Sequence, residues 1–352
     1  MDTTEKTQES HEDEEQMPSH KGTLKVDATC CDAEVRYPTD LDLLHDGCRI
    51  VERVLDRFCN KANVKRPHTD WDAAHKLYST VIKKKVKQKG LLRSCIERII
   101  HYLAKSIRVA INTMAKFPID GTLGLKRHDA NAFSATIQML WQQKEMLGMN
   151  VHQCKNRIIS IFQPHVRPIV RGKNKAKVEF GAKIGASIVN GYTFIDNHSW
   201  DAYNESEDLQ AHLDKYKERF GCLPQLFEGD KIYLNRQNRG ILKALGIEIG
   251  GKPLGRPPKD EEASDAKMAK YIGERNEIEA TFGTAKRVYR ANNIRAKLPS
   301  TGASWAALCF FAKNIEKFLR EFLFALLEIR LAWSFWLTFS NSYAPKHNLR
   351  EF

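Results

Sequence analysis

The chain has 352 residues and a net charge of +13, and 42% of its residues are hydrophobic. That length and composition allow a sizeable core and exclude a wholly disordered protein. Residues 1–20 contain seven acids and one lysine, a net charge of −6, so the rest of the chain carries +19. A folded body this basic favours a polyanionic partner, most simply nucleic acid; the alternative is a merely soluble basic protein.

The cysteines and the apolar segments indicate the cellular compartment in which we expect the protein. None of the eight cysteines forms a CxxC pair or a zinc-like Cys/His spacing, which predicts reduced thiols in a cytosolic protein. The N-terminus is acidic and polar, unlike a secretory signal or a transit peptide. The apolar run Phe322–Phe339 has Glu328 and Arg330 near its centre, so we interpret it as a buried or partner-binding helix rather than a membrane span.

The first half of the chain is predicted to hold one strand and a large helical region. Residues 1–20 are expected to be a disordered acidic tail. Leu24–Thr29 alternates apolar and polar residues, as a half-buried strand does, and Asp27 lies on its polar face. From about residue 40 to 163 the apolar periodicity is helical. The lysine-rich segment at residues 83–89 fits a solvated helix face or a nucleic-acid contact equally well.

A basic loop is predicted between the helical region and the strands that follow. Residues 151–178 contain seven lysines and arginines and no acid, and Arg171–Lys175 has the composition of a turn. A cationic loop in this position is suited to follow a phosphate backbone, and Lys173 and Lys175 are its predicted contacts.

The second half is predicted to alternate strands and helices. Alternating apolar residues from 178 to 188 indicate a strand, Asn190-Gly191 indicates a hairpin turn, and Tyr192–Ile195 is the return strand. The next elements, in order, are a helix at 208–220, a strand at 226–227, a helix at 235–245, a strand at 247–249, a basic loop at 250–259, and helices at 263–286 and 304–331. The last helix is expected to pack Leu308, Phe311, Ile315 and Phe318. Arg256 lies in the basic loop, whose Gly-Arg-Pro sequence is similar to minor-groove-binding motifs. We therefore predict an α/β fold with one mixed sheet, flanking helices and a large helical insertion.

Three acids are placed where a metal-dependent reaction would need them. Asp27 lies on the first strand, Asp230 directly follows a buried strand and Glu279 lies on a late helix. Carboxylates converging from separate elements can hold two Mg²⁺ ions for an in-line displacement at a phosphodiester. Taken singly, each acid also fits an ordinary turn, cap or surface residue. Arg275, Glu279 and Lys286, at offsets of 0, 4 and 11, share one stripe of the helix, which suits phosphate binding or a simple salt-bridge ladder.

The segments 24–46, 178–208, 227–239, 253–259 and 275–286 resemble the DDE transposases of bacterial insertion sequences, whose catalytic core is RNase H-like. Arg275, Glu279 and Lys286 match the spacing of that family's Tyr-Arg-Glu-Lys signature, whereas Ile272 stands at the tyrosine position. The resemblance implies that Asp27, Asp230 and Glu279 are the catalytic and metal-binding residues. It also implies two Mg²⁺ ions, with Mn²⁺ as a substitute, for cleavage and strand transfer at transposon ends.

The resemblance also implies partners and a location. The residues expected to contact double-stranded DNA are Arg275, Lys286, Lys231, Arg256, Lys173 and Lys175. An active enzyme is expected to be a homodimer, in the bacterial cytoplasm at the nucleoid and without a membrane partner. Asp27 lies close to the first residue of the chain, so we expect a truncated transposase lacking its N-terminal end-binding domain. The alternative is a non-enzymatic DNA-binding remnant, or an inhibitor of the full-length transposase.

The predicted domain organisation follows from these assignments. It consists of a disordered tail at 1–20, the first part of the catalytic core at 21–40, a basic helical insertion at 41–170, the remainder of the core at 171–300, and a C-terminal helical segment at 301–352.

Overall fold

The structure is a computed structural model that describes residues 20–117, 125–170, 178–251 and 261–342. In these residues the helices are α1 Asp40–Ala62, α2 Trp71–Ile82, α3 Lys89–Lys116, α4 Arg127–Met149, α5 Leu209–Phe220, α6 Arg236–Ala244, α7 Glu261–Arg287 and α8 Pro299–Ser342. The strands are β1 Thr23–Asp32, β2 Arg167–Val170, β3 Val178–Val189, β4 Tyr192–Ser199, β5 Leu226–Glu228 and β6 Glu248–Gly250. The predicted mixed α/β class is confirmed, and it is consistent with an RNase H-like fold.

The six strands form one mixed sheet. Its order is β2-β3-β1-β5-β6, and β4 pairs with β3 outside this path. β5 is parallel to both β1 and β6, whereas β2 and β3 are antiparallel. The predicted hairpin between β3 and β4 is confirmed, because Asn190 and Gly191 both adopt the positive φ that a tight two-residue turn requires, 51° and 77°.

The described chain divides into two compact units. The first contains residues 20–27, Gly185–Asp196 and Asn204–Ala280. Its core is built from large apolar side chains of strands and helices, among them Leu24, Phe227, Tyr233 and Leu242. Helix α5 ends at Gly221, whose φ of 70° satisfies the left-handed cap, as the sequence predicts.

The second unit contains Ala28–Ile184, Asn197–Tyr203 and the described residues from 281 onward. Helices α1–α4 pack there around a core that includes Leu44, Phe58, Leu103 and Met139. The first of these helices is well delimited: the Thr39 hydroxyl accepts a hydrogen bond from the Asp42 amide at its start, and Asn63 is left-handed at its end. This block lies between β1 and β2 in sequence, within the region predicted to be a helical insertion.

Two expectations differ from the structure. The sequence predicts no strand between the helical region and residue 176, but β2 lies there. Its four residues include Pro168 and are too few to show the alternation of apolar and polar residues that indicates a strand. The prediction that Leu308, Phe311, Ile315 and Phe318 are packed is wrong, since they are 43–63% exposed. The acidic tail, Lys173, Lys175 and Arg256 lie outside the described residues.

Candidate active site

Strand β1 presents Asp27 on its more accessible face. Leu24, Val26 and Ala28 are buried on one side of the strand, whereas Lys25 and Asp27 are half-buried on the other. Alternate residues of a strand point to the same face, so Lys25 and Asp27 are neighbours about 7 Å apart along it. A carboxylate in this position keeps access to solvent while its strand is anchored in the core.

Asp230 lies in the turn after β5, the strand that pairs in parallel with β1. The parallel register pairs Thr23 with Leu226 and Lys25 with Glu228, so the two strands advance together, residue for residue. β5 ends at Glu228, so Asp27 and Asp230 each lie two residues beyond the last pair of that register, Lys25 with Glu228. Asp230 directly follows the carboxyl end of β5, the edge at which α/β sheets commonly bind ligands. The two half-buried aspartates therefore lie on β1 and in the turn after its parallel partner β5, although they are far apart in sequence.

The turn after β5 is shaped by glycine and by the aspartate itself. A Cβ on Gly229 would lie 3.1 Å from side-chain atoms of both Phe227 and Tyr233, so a larger residue would disturb that packing. The Asp230 carboxylate accepts a hydrogen bond from the Lys231 amide, and the Asp230 carbonyl accepts one from the Leu234 amide at 3.1 Å. These contacts hold the carboxylate at the strand end.

Helix α7 carries two glutamates near the site, and they point in different directions. Glu277 accepts an ion-paired hydrogen bond from Lys25, with 2.8 Å between Nζ and Oε2. Glu279 is exposed, and at 100° per residue it lies about 200° around the helix from Glu277. Ile278, between them, is buried. Glu277, which the sequence pattern did not single out, thus contacts the polar face of β1.

A compact group of potential metal ligands lies elsewhere. Among the described residues, the one group of three whose ligand atoms all lie within 4.8 Å of one another is Cys30, Asp32 and Glu179. The predicted set of Asp27, Asp230 and Glu279 does not form such a group. Burial, followed by the charge of Asp32, raises the pKa of the Cys30 thiol well above its ordinary value. A protonated thiol is a poor ligand, so this group suits a cation less well than a set of ionised carboxylates does.

Residues 228–316 match the family described as "Transposase DDE domain". This quarter of the chain is similar to a DDE transposase domain. The matched segment includes Asp230 and Glu279, and it begins after Asp27. Such a domain supports a function in transposition, and it implies divalent metal use and DNA as a partner. The comparisons with curated proteins and with solved structures found no match.

The three predicted carboxylates have the donor chemistry that the implied metal requires. Aspartate and glutamate oxygens are the hard ligands that Mg²⁺ prefers. Asp27 lies on β1 and Asp230 in the turn after β5, and neither is fully buried, so both residues are accessible to solvent. The donor chemistry therefore fits a divalent cation, with Glu279 as the most exposed of the three predicted ligands.

The predicted DNA-contacting residues of the DDE transposase domain lie in different surroundings. Lys231 is exposed beside Asp230, and Lys286 is half-buried on α7. Burial raises the pKa of the Cys31 thiol to about 12, and the charge of Lys286 opposes that rise. Arg275 also lies on α7. No helix in the described part of the chain has the length and hydropathy needed to span a membrane.

A buried polar cluster near the transposase domain was also missed by sequence reasoning. His212 on α5 and Asp196 on β4 are fully buried and joined at 2.6 Å, and Arg219 makes an ion pair with the same carboxylate. Burial alone would raise the pKa of Asp196, but the contacts with His212 and Arg219 bring it below its ordinary value. Because these two side chains have no solvent access, we assign the cluster to fixing β4 on α5.

Proposed function

We propose that this chain catalyses divalent-metal-dependent cleavage and strand transfer of DNA, with Asp27, Asp230 and Glu279 as the metal-binding carboxylates. The observation that supports the proposal is the parallel pairing of β1 and β5, since Asp27 and Asp230 each follow the last paired residues, Lys25 and Glu228, by two positions. The match of residues 228–316 to a DDE transposase domain supports it independently. Mg²⁺ is the expected ion.

The proposed roles follow from the positions of the side chains. Asp27 and Asp230 would hold the metal from β1 and from the turn after β5, and Glu279 would complete the set from α7. A divalent ion bound there would supply activation of the attacking oxygen and stabilisation of the leaving oxygen in an in-line displacement. Arg275 and Lys286 offset charge on the phosphodiester as it accumulates. Lys25, paired with Glu277, holds α7 against the face of β1 that carries Asp27.

Isosteric substitutions test this assignment. Asp27→Asn, Asp230→Asn and Glu279→Gln each keep the side-chain volume and remove the charge that binds the metal. We expect each variant to lose Mg²⁺-dependent nicking of a duplex that carries the gene's own flanking DNA. DNA binding in EDTA should be retained. Asp214→Asn is the matched control, because Asp214 is an exposed aspartate on α5 whose carboxylate accepts a hydrogen bond from the neighbouring Gln210.

The same assay separates the proposal from its alternatives. Retained cleavage in one of the three variants would show that the residue is wrongly assigned. Glu277→Gln is included in the series. If Glu277→Gln loses cleavage and Glu279→Gln keeps full activity, the third metal ligand is Glu277 rather than Glu279. A wild-type chain that binds DNA with steep salt dependence but gives no nicked product in Mg²⁺ or Mn²⁺ would be a binding remnant or an inhibitor of a full-length transposase.

A further inference from the structure

Much of the positive charge of this chain is concentrated in one continuous segment of the helical block. Residues 83–116 contain ten lysines and arginines and a single acid, Glu97, a net charge of +9. The whole chain carries +13. The segment consists of the loop between α2 and α3 and all of α3. We call it the basic segment.

The basic segment has a clear inner and outer side. The inner side of α3 is apolar and buried, and its members are Cys95, Ile99, Ile100, Leu103, Ile107, Ala110 and Met114. On the outer side, Arg98, His101, Lys105 and Arg108 recur at spacings of 3, 4 and 3 and are all exposed. Residues that recur in this way share one face of a helix. The packing of the block thus leaves a row of cations facing solvent.

The loop before α3 and the first residue of α3 add further exposed cations. Lys83, Lys84, Lys85, Lys87 and Lys89 are all exposed. Helix α3 has 28 residues, which corresponds to about 42 Å at 1.5 Å per residue. That length is similar to about 12 base pairs of duplex at 3.4 Å per step.

Most cations of the basic segment lack the carboxylate partners that several arginines elsewhere in the helical block have among the described residues. Arg49, Arg53, Arg57 and Arg66 each form an ion pair with a carboxylate of the block. Of the ten cations in the basic segment, two take part in the ion pairs found among the described residues, Arg93 with Glu97 and Lys105 with Asp70. Those four arginines are thus neutralised within the block, whereas most of the charge of the basic segment is left to solvent.

We propose that the basic segment is a second DNA-binding surface, distinct from the proposed metal-binding carboxylates. It binds along the phosphate backbone of a DNA duplex. It rests on the proposed function only in taking DNA as the polyanion. A row of lysines and arginines suits phosphates rather than base edges, so binding here is independent of sequence. The side chains on the outer face of α3 include no exposed Phe, Tyr or Trp in its described residues, which argues against a stacking platform for single strands.

Salt dependence of binding tests this surface directly. The test variant replaces Lys83, Lys84, Lys85 and Lys87 with alanine. The control variant replaces four other exposed lysines of the same helical block, Lys61, Lys65, Lys126 and Lys144. Both remove four positive charges, so they differ only in which surface is neutralised. Binding of full-length chains to a random 30-base-pair duplex is measured in EDTA across a range of salt concentrations, with circular dichroism to verify folding.

We expect the slope of log K against log salt to fall in magnitude by up to about 3.6 in the test variant, from about 0.9 per lost phosphate contact. The affinity at 0.1 M salt should fall at least tenfold, and the control should keep most of the wild-type slope. Equal slopes in the two variants would overturn the proposal. Binding to anionic vesicles but not to the duplex would also overturn it. This experiment measures binding and not cleavage. It can therefore refute the proposed binding surface without bearing on the assignment of the metal-binding carboxylates.

Discussion

Gly181 lies where two strands approach too closely for any side chain. A Cβ built on Gly181 in β3 would lie 2.0 Å from the carbonyl oxygen of Cys31 and 2.8 Å from the Cα of Asp32, both in β1. The obstruction is backbone, so a side-chain rotation cannot relieve it. Gly181→Ala would require the two strands to separate by about 1 Å, which lengthens their hydrogen bonds beyond useful geometry. The nearby bond from the Ala33 amide to the Phe180 carbonyl is now 2.8 Å.

The cost of this substitution follows from two contributions. Overpacking costs about 1–3 kcal/mol, and the weakened bond between Ala33 and Phe180 adds about 1 kcal/mol, which gives a total of about 2–4 kcal/mol. With a urea m value near 3 kcal/mol per molar, the midpoint of unfolding should fall by about 1 M.

Urea unfolding followed by circular dichroism measures the effect of Gly181→Ala. Gly148→Ala is the control, because Gly148 lies in α4 in the same unit and its Cβ would meet nothing within 4 Å. It should be neutral or slightly stabilising, since alanine favours helix over glycine. A midpoint for Gly181→Ala within error of the wild type would refute the reasoning.

Two further predictions concern the helical block. Asp129 is 1% exposed beside Arg53 and Arg57; burial opposes the shift, but the arginines lower the pKa of Asp129. Asp129→Asn should therefore lower the free energy of unfolding, measured by urea unfolding, by about 2 kcal/mol. This is less than the loss expected for a fully buried ion pair, because the two arginines are partly exposed. The wild-type protein should lose the same stabilisation as the pH falls through the lowered pKa of Asp129. Burial and the charge of His75 lower the pKa of His45 from its ordinary 6.5 to about 4. As the pH is lowered from 6.5 to 4, the unfolded chain binds a proton at His45 before the folded chain does, so the free energy of unfolding should decrease over this range. NMR titration of the His45 ring in the folded protein should give a midpoint near pH 4. A midpoint near 6.5 would contradict the structure.

Local chemistry made much of the fold predictable. Asn190-Gly191 specifies a hairpin, Gly221 ends a helix, and the apolar periodicity of α1 follows its buried face, because each depends on a few adjacent residues. Strand β2 was missed for the same reason, since so short a strand carries little periodic signal. Apolar periodicity marks a hydrophobic face but does not show what covers it, which is why the packing expected for Phe318 and its neighbours on α8 is wrong.

The candidate site was predictable only in part. The acids could be selected because they follow strands or lie on a patterned helix, and the predicted assignment of Asp27, Asp230 and Glu279 as ligands stays a prediction. Their relative positions depend on strand register, which no local pattern specifies between strands as distant in sequence as β1 and β5. The contact between Lys25 and Glu277 depends on how α7 lies against β1, so sequence spacing gave no signal for it.

The pairing of β1 with β5 has a consequence for biosynthesis. When β1 leaves the ribosome, Leu226–Glu228 has not been made, and at about 5–20 residues per second its arrival takes about 10–40 s. Helices α1–α4 can associate during that delay, because their contacts are closer in sequence and helical contacts form quickly. Leu24 and Val26 meanwhile remain without neighbours, which makes the nascent β1 a natural target for chaperones and for aggregation until the sheet is completed.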